Sequence, residues 1–131
     1  MIVLDASAAI ELLLNTEGGR LLAGRIATER LSLHAPHLID LEVTQAVRRY
    51  SRTGAITAAR GRQALQHLQQ LDLIRYAHMD FLERIWSLRD NLTAYDAVYV
   101  ALTEALEATL LTFDARLAGS PGHSARIELL H

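Results

Sequence analysis

The chain opens on Ile2–Val3–Leu4, an unbroken apolar run that leads directly into a carboxylate, Asp5. A short apolar run without alternation is what a strand buried on both faces looks like, as in a parallel sheet covered by helices on either side. A helical pattern begins at Ser7, so Asp5 falls at the carboxyl end of the strand. In open α/β sheets that edge is where ligands bind. Asp5 and Ser7 are also ordinary caps for a helix starting there. Whether they do more depends on whether other carboxylates reach the same edge.

The rest of the chain repeats the alternation of short strand and helix. Ser7 to Leu14 reads as a helix broken by Asn15, Thr16, Gly18 and Gly19, and a second helix runs to about Arg30. Leu31 to Ala35 is a strand candidate ended by Pro36. A strong helix follows from His37 to Thr53, stopped by Gly54, and Thr57 caps the next, with Ala64, Leu65, Leu68 and Leu71 on one face. Leu73 to Tyr76 is a brief strand. Residues 80–89 read as helical with Phe81, Leu82, Ile85 and Leu88 inward, and Asn91 to Thr93 break the chain. A helix over Ala94 to Leu106 leads to an apolar strand, Thr109 to Thr112, then Asp114 and a short helix through Leu117 and Ala118. After Gly119–Ser120–Pro121–Gly122 comes a last strand near Arg126 to Leu129. Such alternation predicts an α/β protein with a central parallel sheet. With no repeat, linker or low-complexity tract, residues 1–131 are expected to form one domain.

Composition removes several classes of function. No apolar stretch approaches the roughly 20 residues of a membrane span, and Asp5 and Glu11 sit where a secretory signal needs basic and apolar residues. The chain has no cysteine, which rules out disulfides, thiolate catalysis and sulfur-based zinc sites and fits a cytoplasmic protein. All 13 basic side chains are Arg, so a phosphate-binding loop ending in G-K-[ST] is impossible. A net charge of −2 argues against a surface built throughout to grip nucleic acid. The six His residues are scattered, with no metal-binding pair, and read as surface or core-edge residues.

Asp114 repeats the situation of Asp5, since it too follows an apolar strand, Leu110–Leu111–Thr112–Phe113. Parallel strands end on the same side, so both point to one edge. Asp96 lies in the first turn of Thr93–Ala94–Tyr95–Asp96–Ala97–Val98–Tyr99–Val100–Ala101. Thr93 and Asp96 have capping-box spacing, but the helix around Asp96 is apolar on nearly all sides. A buried carboxylate needs a partner, and this helix contains no cation. Glu42, about a turn and a half into the helix from His37, is either a fourth member of the group or a surface residue paired with an Arg. Asp40 beside it reads as a solvated charge favoured by the helix dipole. Gathered round one pocket, Asp5, Glu42, Asp96 and Asp114 would repel one another unless a cation lay between them. All-oxygen ligands favour a hard ion, Mg²⁺ or Mn²⁺.

With these acids in place, the chain resembles the PIN-domain ribonucleases, in particular the VapC-type toxins of bacterial toxin–antitoxin pairs. The resemblance is carried by Ile2–Val3–Leu4–Asp5–Ala6–Ser7–Ala8, by Pro36–His37–Leu38 through Glu42, by Tyr95–Asp96–Ala97–Val98–Tyr99–Val100–Ala101–Leu102, and by Leu111–Thr112–Phe113–Asp114 with Leu117–Ala118. It implies a three-layer α/β/α sandwich and Mg²⁺- or Mn²⁺-dependent cleavage of RNA. It also implies that Asp5, Asp96 and Asp114 hold the metal, that Glu42 positions metal or water, and that Ser7 and Thr112 orient the carboxylates. Its expected partners are RNA, a second copy of the chain as a homodimer, and a small cognate antitoxin in a hetero-oligomer. Phe113 is bulkier than the residue many relatives carry there.

Arg48, Arg49 and Arg52 close one helix. They read either as contacts to RNA phosphates or as cations favoured near a helix C-terminus. Arg116, close after Asp114, is expected at the rim of the pocket as a further candidate contact to RNA. Two other readings compete with the ribonuclease. One is a DNA or structure-specific nuclease, or a phosphatase, on a related scaffold, although Asp5–Ala6–Ser7 lacks the second Asp of haloacid-dehalogenase-type phosphatases. The other is a catalytically silent binding module whose acids only cap helices.

Overall fold

The structure is a computed structural model describing residues 1–131. Its strands are β1 (Ile2–Leu4), β2 (Leu33–Pro36), β3 (Leu73–Tyr76), β4 (Thr109–Thr112) and β5 (Arg126–Leu129). They form one sheet in the order β3-β2-β1-β4-β5, and every pairing is parallel. The helices are α1 (Ala6–Leu13), α2 (Glu17–Glu29), α3 (Leu38–Thr53), α4 (Ala58–Gln70), α5 (Leu82–Ser87), α6 (Ala94–Leu106) and α7 (Ala115–Ala118).

Connectivity dictates the layers. From β1 to β3 the chain moves steadily to one side, and right-handed crossovers put α1 to α4 on one face. The return from β3 to β4 runs the other way, so α6 covers the opposite face, where it lies across β2, β1 and β4 with α5 against it. The result is the expected three-layer α/β/α sandwich. Every residue of β1 is buried, as are Leu110, Leu111 and Thr112 of β4 and the run Ala97 to Thr103 of α6.

The structure departs from the sequence reading in four places. Asp5 rather than Ser7 caps α1, so the helix starts at Ala6. Gly18 and Gly19 do not break the chain but lie inside α2, whose cap is Thr16. A Cβ on Gly19 would sit 1.9 Å from the carbonyl oxygen of Glu11, so glycine there lets α2 cross α1 in contact. Leu31 follows the left-handed Arg30 that ends α2, so β2 starts two residues later and includes Pro36. The β1–β2 pairing reaches only Val3 and His34, and the missing Pro36 N–H therefore costs the ladder nothing on that side. The predicted helix over 80–89 is a 3₁₀ turn, Met79–Phe81, followed by α5, and Leu82 faces outward at 50% exposure.

Candidate active site

The strand order reverses between β1 and β4: chain segments on one side lead away through β2 and β3, on the other through β5. This is the topological switch point, where an open parallel sheet forms its crevice. Asp5 ends β1 and Asp114 follows β4, one on each side of it.

Register places these groups together. Leu4 pairs with Leu111, so the next residue along, Asp5, lies beside Thr112. Asp5 Oδ2 accepts a hydrogen bond from Thr112 Oγ1 at 2.5 Å. Its Oδ1 accepts from Ser7 Oγ at 2.7 Å and from the Ala8 N–H at 2.9 Å, the bond that caps α1. Ser7 Oγ accepts in turn from the Phe113 N–H, and Thr112 Oγ1 from the Asp114 N–H, each at 2.9 Å. Two hydroxyls thus fix Asp5 and staple the ends of the central strands. Thr112 reaches Asp114 through its backbone, not its carboxylate. Burial pushes the Asp5 carboxyl above its ordinary pKa; the hydrogen bonds oppose this, and the Asp114 charge adds to it. Capping and a place in an acidic group are therefore both true of Asp5.

Asp96 enters from α6. Its N–H donates to Thr93 Oγ1 at 3.2 Å, but its carboxylate turns to Arg116 of α7, whose Nη2 donates to Asp96 Oδ2 at 2.8 Å and to Asp114 Oδ2 at 3.2 Å. The cation that α6 lacks comes from twenty residues along the chain. Asp114 Oδ1 accepts from the N–H groups of Arg116 and Leu117 at the start of α7.

Glu42 arrives from α3, half-buried, with Oε1 accepting from the Tyr99 hydroxyl at 2.6 Å. Desolvation raises its pKa; the Tyr99 bond counters that, and the charges of Asp96 and Asp5 reinforce it. Burial and the nearby Glu42 charge push the Tyr99 phenol well above its ordinary range, so it stays a hydrogen-bond donor. Tyr99 is the residue to which the sequence reading gives no role, because its partner Glu42 lies on a distant helix. It lies one turn after Asp96, on the same face, and a buried tyrosine hydroxyl calls for a partner.

A groove of about 530 Å³ runs from this point between α1, α3 and the start of α6, lined among others by Ser7, Glu42, Gln45, Arg49, Tyr50 and Tyr95. Arg49 is on it; Arg48 and Arg52 are exposed on α3 but do not line it. Asp40 is not a free solvated charge but forms a two-pronged pair with Arg75 of β3 at 2.9–3.0 Å. Among the histidines His34 is buried, bonded to Tyr76 and Ser32. Phe113 turns away from the acids onto α2, where a Cβ on Gly18 would lie 2.8 Å from its ring. The glycine makes room for the larger side chain.

Asp5 feels the charge of Asp114, and Glu42 feels those of Asp96 and Asp5, yet no three Asp, Glu or His side chains lie close enough to hold an ion as they stand. Two of them already share a cation, the Arg116 guanidinium. The donors are all carboxylate and hydroxyl oxygens, suited to a hard divalent ion, and Asp96 and Asp114 converge on a point where positive charge is favoured. The donor chemistry therefore fits Mg²⁺ or Mn²⁺.

Comparison with known proteins bears on the chain and its fold as a whole. The family model for the PIN domain matches residues 2–120. The chain is 50% identical over 118 residues to ribonuclease VapC9 of Mycobacterium tuberculosis, covering 90% of this chain and 89% of that protein. It is 42% identical over 130 residues to ribonuclease VapC12 of the same organism, covering 99% of each. In three dimensions it is similar to the crystal structure of PAE2754 from Pyrobaculum aerophilum, with a TM-score of 0.71 at 24% identity over 96% of this chain and 81% of that one. The chain belongs to the PIN-domain family, in its VapC-type branch.

Proposed function

We propose that this protein is a metal-dependent endoribonuclease and the toxin of a toxin–antitoxin pair, with Asp5, Glu42, Asp96 and Asp114 as its catalytic acids. The observation that carries the reading is the meeting of these acids, from two adjacent strand ends and two helices, at the switch point of the sheet. The relatives' designation as ribonucleases supports RNA as the substrate.

Asp5, Asp96 and Asp114 would hold Mg²⁺ or Mn²⁺, which when bound lowers the pKa of water and stabilises charge on a phosphoryl oxygen. Ser7 and Thr112 fix the Asp5 carboxylate so that no reorganisation is needed at the moment of reaction. Glu42, oriented by Tyr99 through Oε1, keeps Oε2 to accept the proton of the attacking water. Arg49 and Tyr95 line the path by which a strand of RNA leaves the acids, the one suited to phosphate and the other to a base. A cognate antitoxin would shield the groove. The exposed Met79, Leu82 and Trp86 support pairing with a second copy, which light scattering would detect as twice the chain mass.

The test is incubation of total RNA with the antitoxin-free protein in Mg²⁺, Mn²⁺ or EDTA, beside Asp5→Asn. Discrete fragments that require the ion and vanish in the variant are expected. A folded protein that leaves RNA intact with either ion refutes the proposal, and cleavage of single-stranded DNA instead would reassign the substrate.

A further inference from the structure

Four arginines pair with carboxylates in this protein, and one pairing is unlike the others. Arg75 meets Asp40, Arg84 meets Glu104 and Arg25 meets Glu128, each with a two-nitrogen fork on one carboxylate; Arg25 adds a looser contact from its remaining nitrogen to Glu29 at 3.4 Å. These forks tie secondary-structure elements together, and their side chains are 22%, 41% and 33% exposed. Arg116 instead divides one nitrogen between two carboxylates and is 64% exposed. Its stem leaves a helix of four residues, Ala115–Ala118.

The two acids depend on it unequally with the rest of their surroundings. Asp114 Oδ1 is anchored by two backbone N–H groups, while its Oδ2 has only Arg116. The Asp96 carboxylate has Arg116 as its sole hydrogen-bond donor. Neither oxygen that Arg116 covers has another hydrogen-bond donor, and a solvent-exposed ion pair of this kind is weak and easily exchanged.

Resting on the function proposed above, we infer that Arg116 is a displaceable internal counter-cation, a positioning residue that aligns Asp96 and Asp114 in the ion-free protein and gives both up as the divalent ion binds. Ion binding and the release of Arg116 are then one coupled event. The ion enters carboxylates already aligned, at the cost of competing with a built-in cation.

The direct test follows the Arg116 guanidinium by NMR in protein labelled with ¹⁵N-arginine, its signal assigned by loss in Arg116→Gln, during titration with Mg²⁺. The ion-free protein is expected to show an Arg116 guanidinium resonance shifted from that of an exposed, unpaired arginine such as Arg48. The shift should be lost in step with Mg²⁺ saturation, while Arg75 and Arg84 stay unchanged. Calorimetry should find Mn²⁺ bound about two- to fivefold more tightly by Arg116→Gln, the scale set by an exposed pairing. An Arg116 signal that is unchanged when Mg²⁺ saturates the protein overturns the inference while leaving the metal site standing. Absence of Mg²⁺ and Mn²⁺ binding by the wild type overturns the metal-site reading and this inference with it. The titration uses wild-type protein, so the outcome does not depend on how the variant folds.

Discussion

Asp5 has two separable tasks, and a pair of substitutions divides them. In Asp5→Asn the Oδ1 still accepts from the Ala8 N–H and Ser7 Oγ, and the new amide donates to Thr112 Oγ1, so the α1 cap survives and only the charge is lost. Asp5→Ala removes both charge and cap. A lost cap costs about 1 kcal/mol, within a range of about 0.5–2, and about 1 kcal/mol moves the melting temperature of a chain this long by about 3–5 °C. In EDTA at pH 7.5, Asp5→Asn should therefore melt about 2–10 °C above Asp5→Ala, and no lower than wild type. The last comparison follows from the raised pKa of Asp5. Such a carboxyl contributes stability that is fully present below its unfolded value of 3.8 and is lost as the pH rises through the folded one. The advantage of Asn over wild type should accordingly shrink as the pH is lowered towards 4. At an ion concentration of about 100 times Kd, wild type should gain about 2.7 kcal/mol, or about 8–13 °C, and neither variant should share that gain or cleave RNA. Equal melting of the two variants would refute the cap. A clear loss of stability in Asp5→Asn at pH 7.5 without ion would refute the cost assigned to the charge.

Tyr99→Phe should fold, lose about 1 kcal/mol with the hydroxyl, and shift the acid limb of the pH–rate profile upward, because the Tyr99 bond is what lowers the Glu42 pKa; an unmoved limb would separate Glu42 from the chemistry. Glu104, bonded by Arg84 and by the N–H and hydroxyl of Ser124, has its pKa held at about 2. Its contribution is present above the ordinary value of 4.5 and lost as the pH falls through about 2, so Glu104→Gln should cost about 1–2 kcal/mol at pH 7, after allowance for the exposed Arg84, and almost nothing at pH 2 by chemical denaturation. The two glycines of α2 give opposite outcomes under heating. Gly19→Ala, with a Cβ 1.9 Å from a backbone oxygen, should leave little folded protein, whereas Gly24→Ala, with nothing within 4 Å, should stabilise the helix by about 0.5–1 kcal/mol.

The strands and the acids were legible in the sequence because each follows from a local signal. Ile2–Val3–Leu4–Asp5 and Leu110–Leu111–Thr112 show burial by lack of alternation, and the placing of Asp5 and Asp114 then follows from parallel strands sharing an edge. Partners drawn from distant segments left no such trace. Nothing near Asp96 announces Arg116, nothing near Asp40 announces Arg75, and Tyr99 in an apolar helix looks like core until Glu42 is brought against it from α3. Gly18 and Gly19 misled for a related reason: their cost within a helix is a local quantity, whereas the reason for them is contact with Glu11 and Phe113 on other elements.

The same topology explains why the acids need no special loop to bring them together. Asp5 and Asp114 are neighbours because β1 and β4 are, and one residue of slippage between those strands would take Thr112 away from Asp5 and reverse the faces presented by β4. The register is therefore held twice, by the buried Leu4 and Leu111 below and by the Ser7 and Thr112 hydroxyls above. Glu42 and Asp96 come from opposite layers, α3 on one face of the sheet and α6 on the other, and meet only over its carboxyl edge. The Tyr99–Glu42 hydrogen bond crosses that edge and joins the layers. Bringing acids together at this edge costs stability, chiefly through burial and in part through repulsion, visible in the raised pKa values of Asp5 and Glu42. That cost is offset locally by hydroxyl donors and by one exposed guanidinium rather than by buried cations. A buried, fixed cation would satisfy the acids permanently; on the function proposed above, hydroxyls and an exposed arginine would leave room for a divalent ion.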